Sequence, residues 1–286
     1  MFDRYFNLKE NPFSETPDTR FTFSARSHEE VLKGLNKAHD QGRGFTIVTG
    51  EVGTGKTHLS RLWLKSLEPS TATALLLYTG LEGRDLMAAI AEEFGIKVAA
   101  NAGLKSILSK ITDLLVGNAD KGRRAVVLID EAQNLSLEAL ETIRVLSNVE
   151  QESFKLLHIV LVGQPELLKM LEKPEARQIN QRISSRLQMG RLEAGELEKY
   201  IKHRIEIAGG NHYVHFKPCA VDSIFKLSDG VPRLVNMQCR QMLEFASKKE
   251  VRVLDHSHLI ESLKTAGFLK PHRTLPWRRE YRLVQA

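Results

Sequence analysis

Gly50-Glu51-Val52-Gly53-Thr54-Gly55-Lys56-Thr57 is the stretch from which the rest of the chain becomes readable. One glycine, four residues, then Gly55-Lys56-Thr57 fits the phosphate-loop spacing. An apolar run, Phe45-Thr46-Ile47-Val48, leads into it as a buried strand, and the segment from His58 to Leu67 follows with helical spacing at Leu59, Leu62, Trp63 and Leu67. Glycines at 50, 53 and 55 let the backbone turn successive N–H groups round one anion. The loop ends at a helix N-terminus, where unpaired N–H groups and the helix dipole favour negative charge. In such a loop Lys56 reaches the β- and γ-phosphates of a nucleotide, and Thr57 offers its hydroxyl to a magnesium ion. A glycine-rich turn that binds nothing has the same glycines, but this match is not isolated.

Ala125-Val126-Val127-Leu128-Ile129-Asp130-Glu131 lies downstream, with Asp130 74 residues after Lys56. An apolar run closed by two acids describes a buried parallel strand whose carboxyl end emerges where ligands of open α/β sheets bind. Asp130 is the candidate to hold magnesium, directly or through water, and Glu131 to orient and polarise an attacking water. Alone, the Asp-Glu pair would read as a helix N-cap; behind an apolar strand and a phosphate loop it reads as chemistry. The next strand, Leu156 to Val162, ends in Gly163-Gln164-Pro165. Gln164 either senses the γ-phosphate and its water or is simply a turn residue before a helix started by Pro165. Gln181-Arg182-Ile183-Ser184-Ser185-Arg186 places two guanidinium groups four apart, on one face if helical. Such arginines stabilise transition-state charge, in cis or from a neighbouring subunit, or else line a solvated helix face. Arg233, in Gly230-Val231-Pro232-Arg233, either leans onto a nucleotide or is a surface residue beside a turn.

At 286 residues the chain can bury a good core in one or two domains. No run approaches the length of a membrane-spanning helix, and the start lacks the layout of a secretion signal. Cys219 and Cys239 have no metal spacing, so both are expected buried and reduced in a cytoplasmic protein. The net charge is +6. Lys270, Arg273, Arg278, Arg279 and Arg282 against Glu280 put +4 of it in the last eighteen residues, leaving +2 elsewhere. A basic tail with Trp277 and Tyr281 docks on nucleic acid, an acidic face or a membrane surface, or is merely solvated. Ser27-His28-Glu29-Glu30 reads as a capping box opening a helix through Val31, Leu32 and Leu35. Strands are expected at 45–49, 74–79, 125–129 and 156–162 with helices between them, hence an α/β fold with a parallel sheet covered on both faces. From about Glu193 helical spacing takes over, as a small all-helical lid. The expected domains are 1–192, 193–268 and a tail, 269–286.

These motifs resemble those of the AAA+ ATPases, and within them the general secretion pathway protein A and MSHA pilus biogenesis ATPase family. The likeness runs from Tyr5 to about Gly267. It rests on Asn11-Pro12-Phe13, the phosphate loop, Leu128-Ile129-Asp130-Glu131-Ala132-Gln133, Leu161-Val162-Gly163-Gln164-Pro165-Glu166-Leu167, Gln181-Arg182-Ile183 and Gly230-Val231-Pro232-Arg233-Leu234-Val235-Asn236. The resemblance implies a Walker A loop at Gly50, Glu51, Val52, Gly53, Thr54, Gly55, Lys56 and Thr57, with His58 next where a second threonine is common. It implies Walker B at Asp130 and Glu131, Gln164 as first sensor, Arg182 or Arg186 as arginine finger and Arg233 as second sensor. ATP and Mg2+ follow as cofactors, and a ring or other homo-oligomer as the working form. Arg26-Ser27-His28-Glu29 resembles the segment over adenine. Secretion members continue into a membrane span and a peptidoglycan-binding domain, whereas this chain ends in a basic tail. The resemblance therefore implies a cytoplasmic ATPase, peripheral to the inner membrane, serving secretion or pilus assembly proteins. Transposition target selectors share the fold and many of these motifs, which keeps DNA as an alternative partner.

Overall fold

The computed structural model describes residues 2–16, 18–77, 80–151, 154–210, 213–272 and 280–283. The chain divides into two compact units: Met1–Arg26, Gly53–Gly55 and Arg191–Ala286 form the first, Ser27–Val52 and Lys56–Gly190 the second.

In the second unit, strands β1 (Phe45–Gly50), β2 (Ala72–Leu76), β3 (Ala125–Ile129), β4 (Leu157–Gly163) and β5 (Ile183–Met189) form one sheet in the order β2-β3-β4-β1-β5. All pairs are parallel. Successive side chains of a strand point to opposite faces, and the apolar runs here are buried on both. Val48, Val126, Leu128, Val160 and Val162 pack with Val31 and Leu35 of α1 (Arg26–Asp40) and with Leu59 and Trp63 of α2 (Lys56–Ser66). Ile47, Val127, Ile129, Ile159 and Leu161 face the other way. They meet α3 (Gly83–Glu93), α4 (Leu104–Ala119) and α5 (Leu137–Leu146) through Leu86, Ile111 and Ile143. Each large aliphatic chain so buried contributes about 1.5–3 kcal/mol, which is what holds the three layers together.

The structure departs from the sequence reading at three places in this unit. Residues 183–189 form a strand, not a helix, so Arg182 and Arg186 do not share a helical face. Ile183 and Leu187 are half-buried and Met189 is buried, whereas Ser184, Arg186 and Gln188 are exposed, the alternation of a sheet edge. Helix α1 begins at Arg26, one residue before the expected cap, and the Ser27 hydroxyl donates to the Gly190 carbonyl at 3.3 Å. The strand expected at 74–79 ends at Leu76, and residues 78–79 lie outside the described ones.

The second unit also holds α6 (Glu166–Leu171), between β4 and β5, and the first unit is built on α7 (Ala194–Ile207), α8 (Pro218–Ser228), α9 (Pro232–Lys249) and α10 (His256–Thr265). Its core also takes in Phe2, Phe6, Phe13 and Phe21, so the N-terminal segment, expected with the phosphate-loop domain, packs here. Arg204 explains how. The residue is 9% exposed, and its guanidinium donates to the Pro12 carbonyl at 2.5 Å, the Ser14 carbonyl at 3.4 Å and the Tyr200 hydroxyl at 3.0 Å. Tyr200 in turn donates to Asn236 Oδ1 at 2.8 Å. A buried charge needs several such acceptors, and two of these are backbone carbonyls of the N-terminal segment.

Cys239 is buried, its thiol pKa pushed up by desolvation, but Cys219 is exposed, contrary to expectation. In the expected tail, residues 269–272 and 280–283 pair as an antiparallel hairpin, with Leu269 and Leu283 against the helical core. Arg273, Trp277, Arg278 and Arg279 lie outside the described residues.

Candidate functional site

The phosphate loop leaves the carboxyl end of β1 and enters α2 at Lys56. Gly53 and Gly55 have φ of 79° and 98°, the left-handed region expected of a loop that wraps an anion. Lys56 is buried, and its Nζ donates to the Gly50 carbonyl at 2.9 Å and the Glu51 carbonyl at 3.0 Å. Burial holds its pKa below the usual lysine value, while the nearby carboxylates of Glu131 and Asp130 oppose that shift. The first turn of α2 continues with Thr57 and His58, both half-buried.

Strand β3, separated from β1 by β4, ends one residue before Asp130. Asp130 is 2% exposed, and Thr57 Oγ1 donates to its Oδ2 at 2.5 Å. Burial raises the Asp130 pKa, against the Thr57 hydroxyl and the Glu131 amide, whose hydrogen bonds favour the carboxylate. A divalent cation would favour it further. The hydroxyl and carboxylate oxygens are hard donors of the type Mg2+ takes, and Mg2+ usually draws its other ligands from water and phosphate oxygens. That fits a site with two protein oxygens. No group of three or more metal-ligating His, Cys, Asp or Glu occurs among the described residues.

Glu131 follows in a left-handed conformation, φ 50° and ψ 36°, with its N–H donating to Asp130 Oδ1 at 2.9 Å. Its Oε2 accepts from Gln133 Nε2 at 2.6 Å and, at the limit of a hydrogen bond, from Gln164 Nε2 at 3.5 Å. Gln164 stands just past β4. The structure therefore brings together Lys56, Thr57, Asp130, Glu131 and Gln164, which the sequence spreads over more than a hundred residues.

The arginines are placed elsewhere. Ile183 is paired with Phe45, so Arg182 stands at the amino end of the sheet. Gly50 is five residues farther along β1, about 16 Å at the rise of a strand and longer than an arginine side chain. Arg182 donates to Ser147 Oγ at 3.1 Å and to Asn148 Oδ1. Arg186 opposes Ile47 on the exposed edge strand and donates to Asn180 Oδ1. Arg233 belongs to the first unit, as the second residue of α9, and pairs at 3.8 Å with Glu15. Its backbone N–H donates at 3.2 Å to the carbonyl of Gly53, a loop residue that groups with the same unit. Sequence reasoning assigned no role to Gln133. Its partner Gln164 is 31 residues away, and no local pattern announces that pairing.

A family model described as an AAA domain matches residues 38–171. General secretion pathway protein A of Aeromonas hydrophila is 42% identical over 243 residues, which is 85% of this chain and 44% of that protein, so the chain spans less than half of that relative. Among solved structures, the ORC2 protein of Aeropyrum pernix in its ADPNP-ADP complexes superposes with a TM-score of 0.65 at 18% identity, covering 90% of this chain and 71% of that one. The ORC1 protein of the same organism, in complex with DNA, gives 0.63 at 17%, covering 88% and 68%. At such identities the structural likeness carries the fold alone.

Proposed function

Because this chain belongs to the AAA+ ATPases of the general secretion pathway protein A type, we propose that it binds and hydrolyses ATP with Mg2+ and uses the nucleotide state to rearrange a homo-oligomer. The work so driven is the assembly of a secretion or pilus apparatus, carried out in the cytoplasm beside the inner membrane. No helix among the described residues is long and apolar enough to cross a membrane.

One observation carries this reading: Lys56, the 2.5 Å Thr57–Asp130 pair and Glu131 converge at the carboxyl ends of β1 and β3, the parallel strands on either side of β4. Backbone amides from Gly50 to Thr57 and the Lys56 ammonium grip the phosphates. Mg2+, when held by Thr57 and Asp130, neutralises charge on the transferred phosphoryl group. Glu131 orients the attacking water, with Gln164 beside it. Arg182 stands at the far end of the sheet from its own loop and Arg186 is engaged with Asn180 on the exposed edge strand, so a finger from either acts on a neighbouring subunit's nucleotide.

Calorimetry with Mg-ADP and a hydrolysis assay test the proposal together. Lys56→Ala should lose binding, and Glu131→Gln should bind but not turn over. Wild-type protein that binds no adenine nucleotide at millimolar concentration, or that turns over no faster than Glu131→Gln, would refute it. Oligomeric state in ATP against ADP, with and without duplex DNA, separates the assembly factor from the DNA-dependent alternative.

A further inference from the structure

Gln133 sits in the 3-10 turn Ala132–Asn134, and its side chain makes two hydrogen bonds of opposite sense. Its Oε1 accepts the Gln164 backbone N–H at 3.0 Å, and its Nε2 donates to Glu131 Oε2 at 2.6 Å. The chemistry of the partners fixes the orientation of this amide. A backbone N–H can only donate and a carboxylate can only accept, so the reversed amide would satisfy neither. The fit is also steric. A Cβ at Gly163 would stand 2.8 Å from Gln133 Oε1 and 3.3 Å from its backbone nitrogen, so a side chain there would have to displace the Gln133 amide.

Glu131 needs such a brace. Its left-handed backbone is one that residues other than glycine rarely adopt and that the surroundings must enforce. The Gln164 side chain reaches the same carboxylate oxygen only at 3.5 Å, whereas Gln133 holds it at 2.6 Å. We propose that Gln133 is a positioning residue: it fixes the Glu131 carboxylate and ties it to the backbone of Gln164, so that the general base and the end of β4 move as one body. The role rests on the hydrolytic reading above. The side-chain hydrogen bonds of Gln133 go to Glu131 and Gln164 rather than to Lys56, Thr57 or Asp130, so its loss should affect turnover and not nucleotide capture.

Three variants of the full chain test it. Gln133→Leu removes both bonds, Gln133→Glu keeps an acceptor for the Gln164 amide but offers Glu131 a repelling carboxylate, and Gly163→Ala leaves Gln133 intact while displacing its amide. Two readouts apply: steady-state hydrolysis with Mg-ADP calorimetry, and deuterium exchange of a peptide containing the Gln164 amide, which needs no turnover. For all three variants kcat should fall about ten- to hundredfold, as expected when a base is misplaced by an ångström, while KM and the ADP affinity stay within about threefold. The Gln164 amide should exchange faster in Gln133→Leu. Unchanged exchange there, or a kcat within twofold of wild type in folded, nucleotide-binding Gln133→Leu, overturns the assignment. Wild-type protein turning over no faster than Glu131→Gln would instead sink the hydrolytic reading, and this role with it.

Discussion

His158 lies in β4, 4% exposed, and its ring stacks with His39 at 5.8 Å. It also meets the Trp63 ring edge-on at 5.8 Å. Its Nε2 pairs with Thr46 Oγ1 at 2.9 Å, while its Nδ1 is buried with no hydrogen-bond partner. Burial foremost, then the His39 ring and Arg124, push its pKa down to about 3. Above about pH 6.5 the imidazole is neutral in both folded and unfolded chains and costs nothing. As the pH falls from about 6.5 towards 3, the unfolded chain binds a proton that the folded one refuses, so stability is lost through that window. The full difference of about 3.5 pH units corresponds to roughly 5 kcal/mol, and going from pH 7.5 to 5.0 should cost about 2 kcal/mol. His39, also held below its ordinary value by burial and by Arg124, adds to the loss in the same direction. The quantity to read is therefore the difference between wild type and His158→Gln, whose amide reaches about where Nε2 sits and does not titrate. Urea unfolding followed by Trp63 fluorescence, in a Trp277→Phe background, measures it. If both proteins lose the same stability to within about 0.5 kcal/mol, the buried neutral imidazole is not what makes this unit acid-sensitive.

Arg182→Ala combined with Arg186→Ala should lower turnover by about a thousandfold or more. Mixing that variant with Lys56→Ala, which keeps its arginines but has a disabled loop, should restore part of the activity; a mixture as inactive as its components would refute a shared site. Gly230→Ala should destabilise the helical unit by about 2–5 kcal/mol, read as a lowered urea midpoint. Gly230 has φ 70° and an added Cβ would stand 2.1 Å from the Leu192 carbonyl oxygen, so a variant as stable as wild type would show that this turn can relax.

The sheet and the heart of the site were legible because local pattern and global fold agree there. The apolar runs at 45–50, 125–129 and 157–163 are buried on both faces, and the phosphate loop has a fixed spacing. Strand β5 is not legible in the sequence because Arg182 and Arg186, four apart, also fit one face of a helix. The opposing signal, Ile183, Leu187 and Met189 at even separations, was present but thinned by the serines of an edge strand. Gln133 and Arg204 escaped because their partners lie 31 and 192 residues away, and composition says nothing of such pairings. The aromatic N-terminal segment has no helical period, so nothing local told which unit it joins.

The hydrogen bond from Arg204 to Pro12 joins residues 192 positions apart, and both belong to a unit whose sequence is interrupted by nearly the whole of the other. On the ribosome, Phe2, Phe6, Phe13 and Phe21 emerge well before the helices they pack against. The sheet unit can close around its core while those phenylalanines wait in solvent, exposed for as long as it takes to make the intervening chain. Deleting Phe2–Phe21 or the helices after Arg191 therefore strips the same small core, and a holdase that shields aromatic side chains during synthesis would act on the stretch from Phe2 to Phe21.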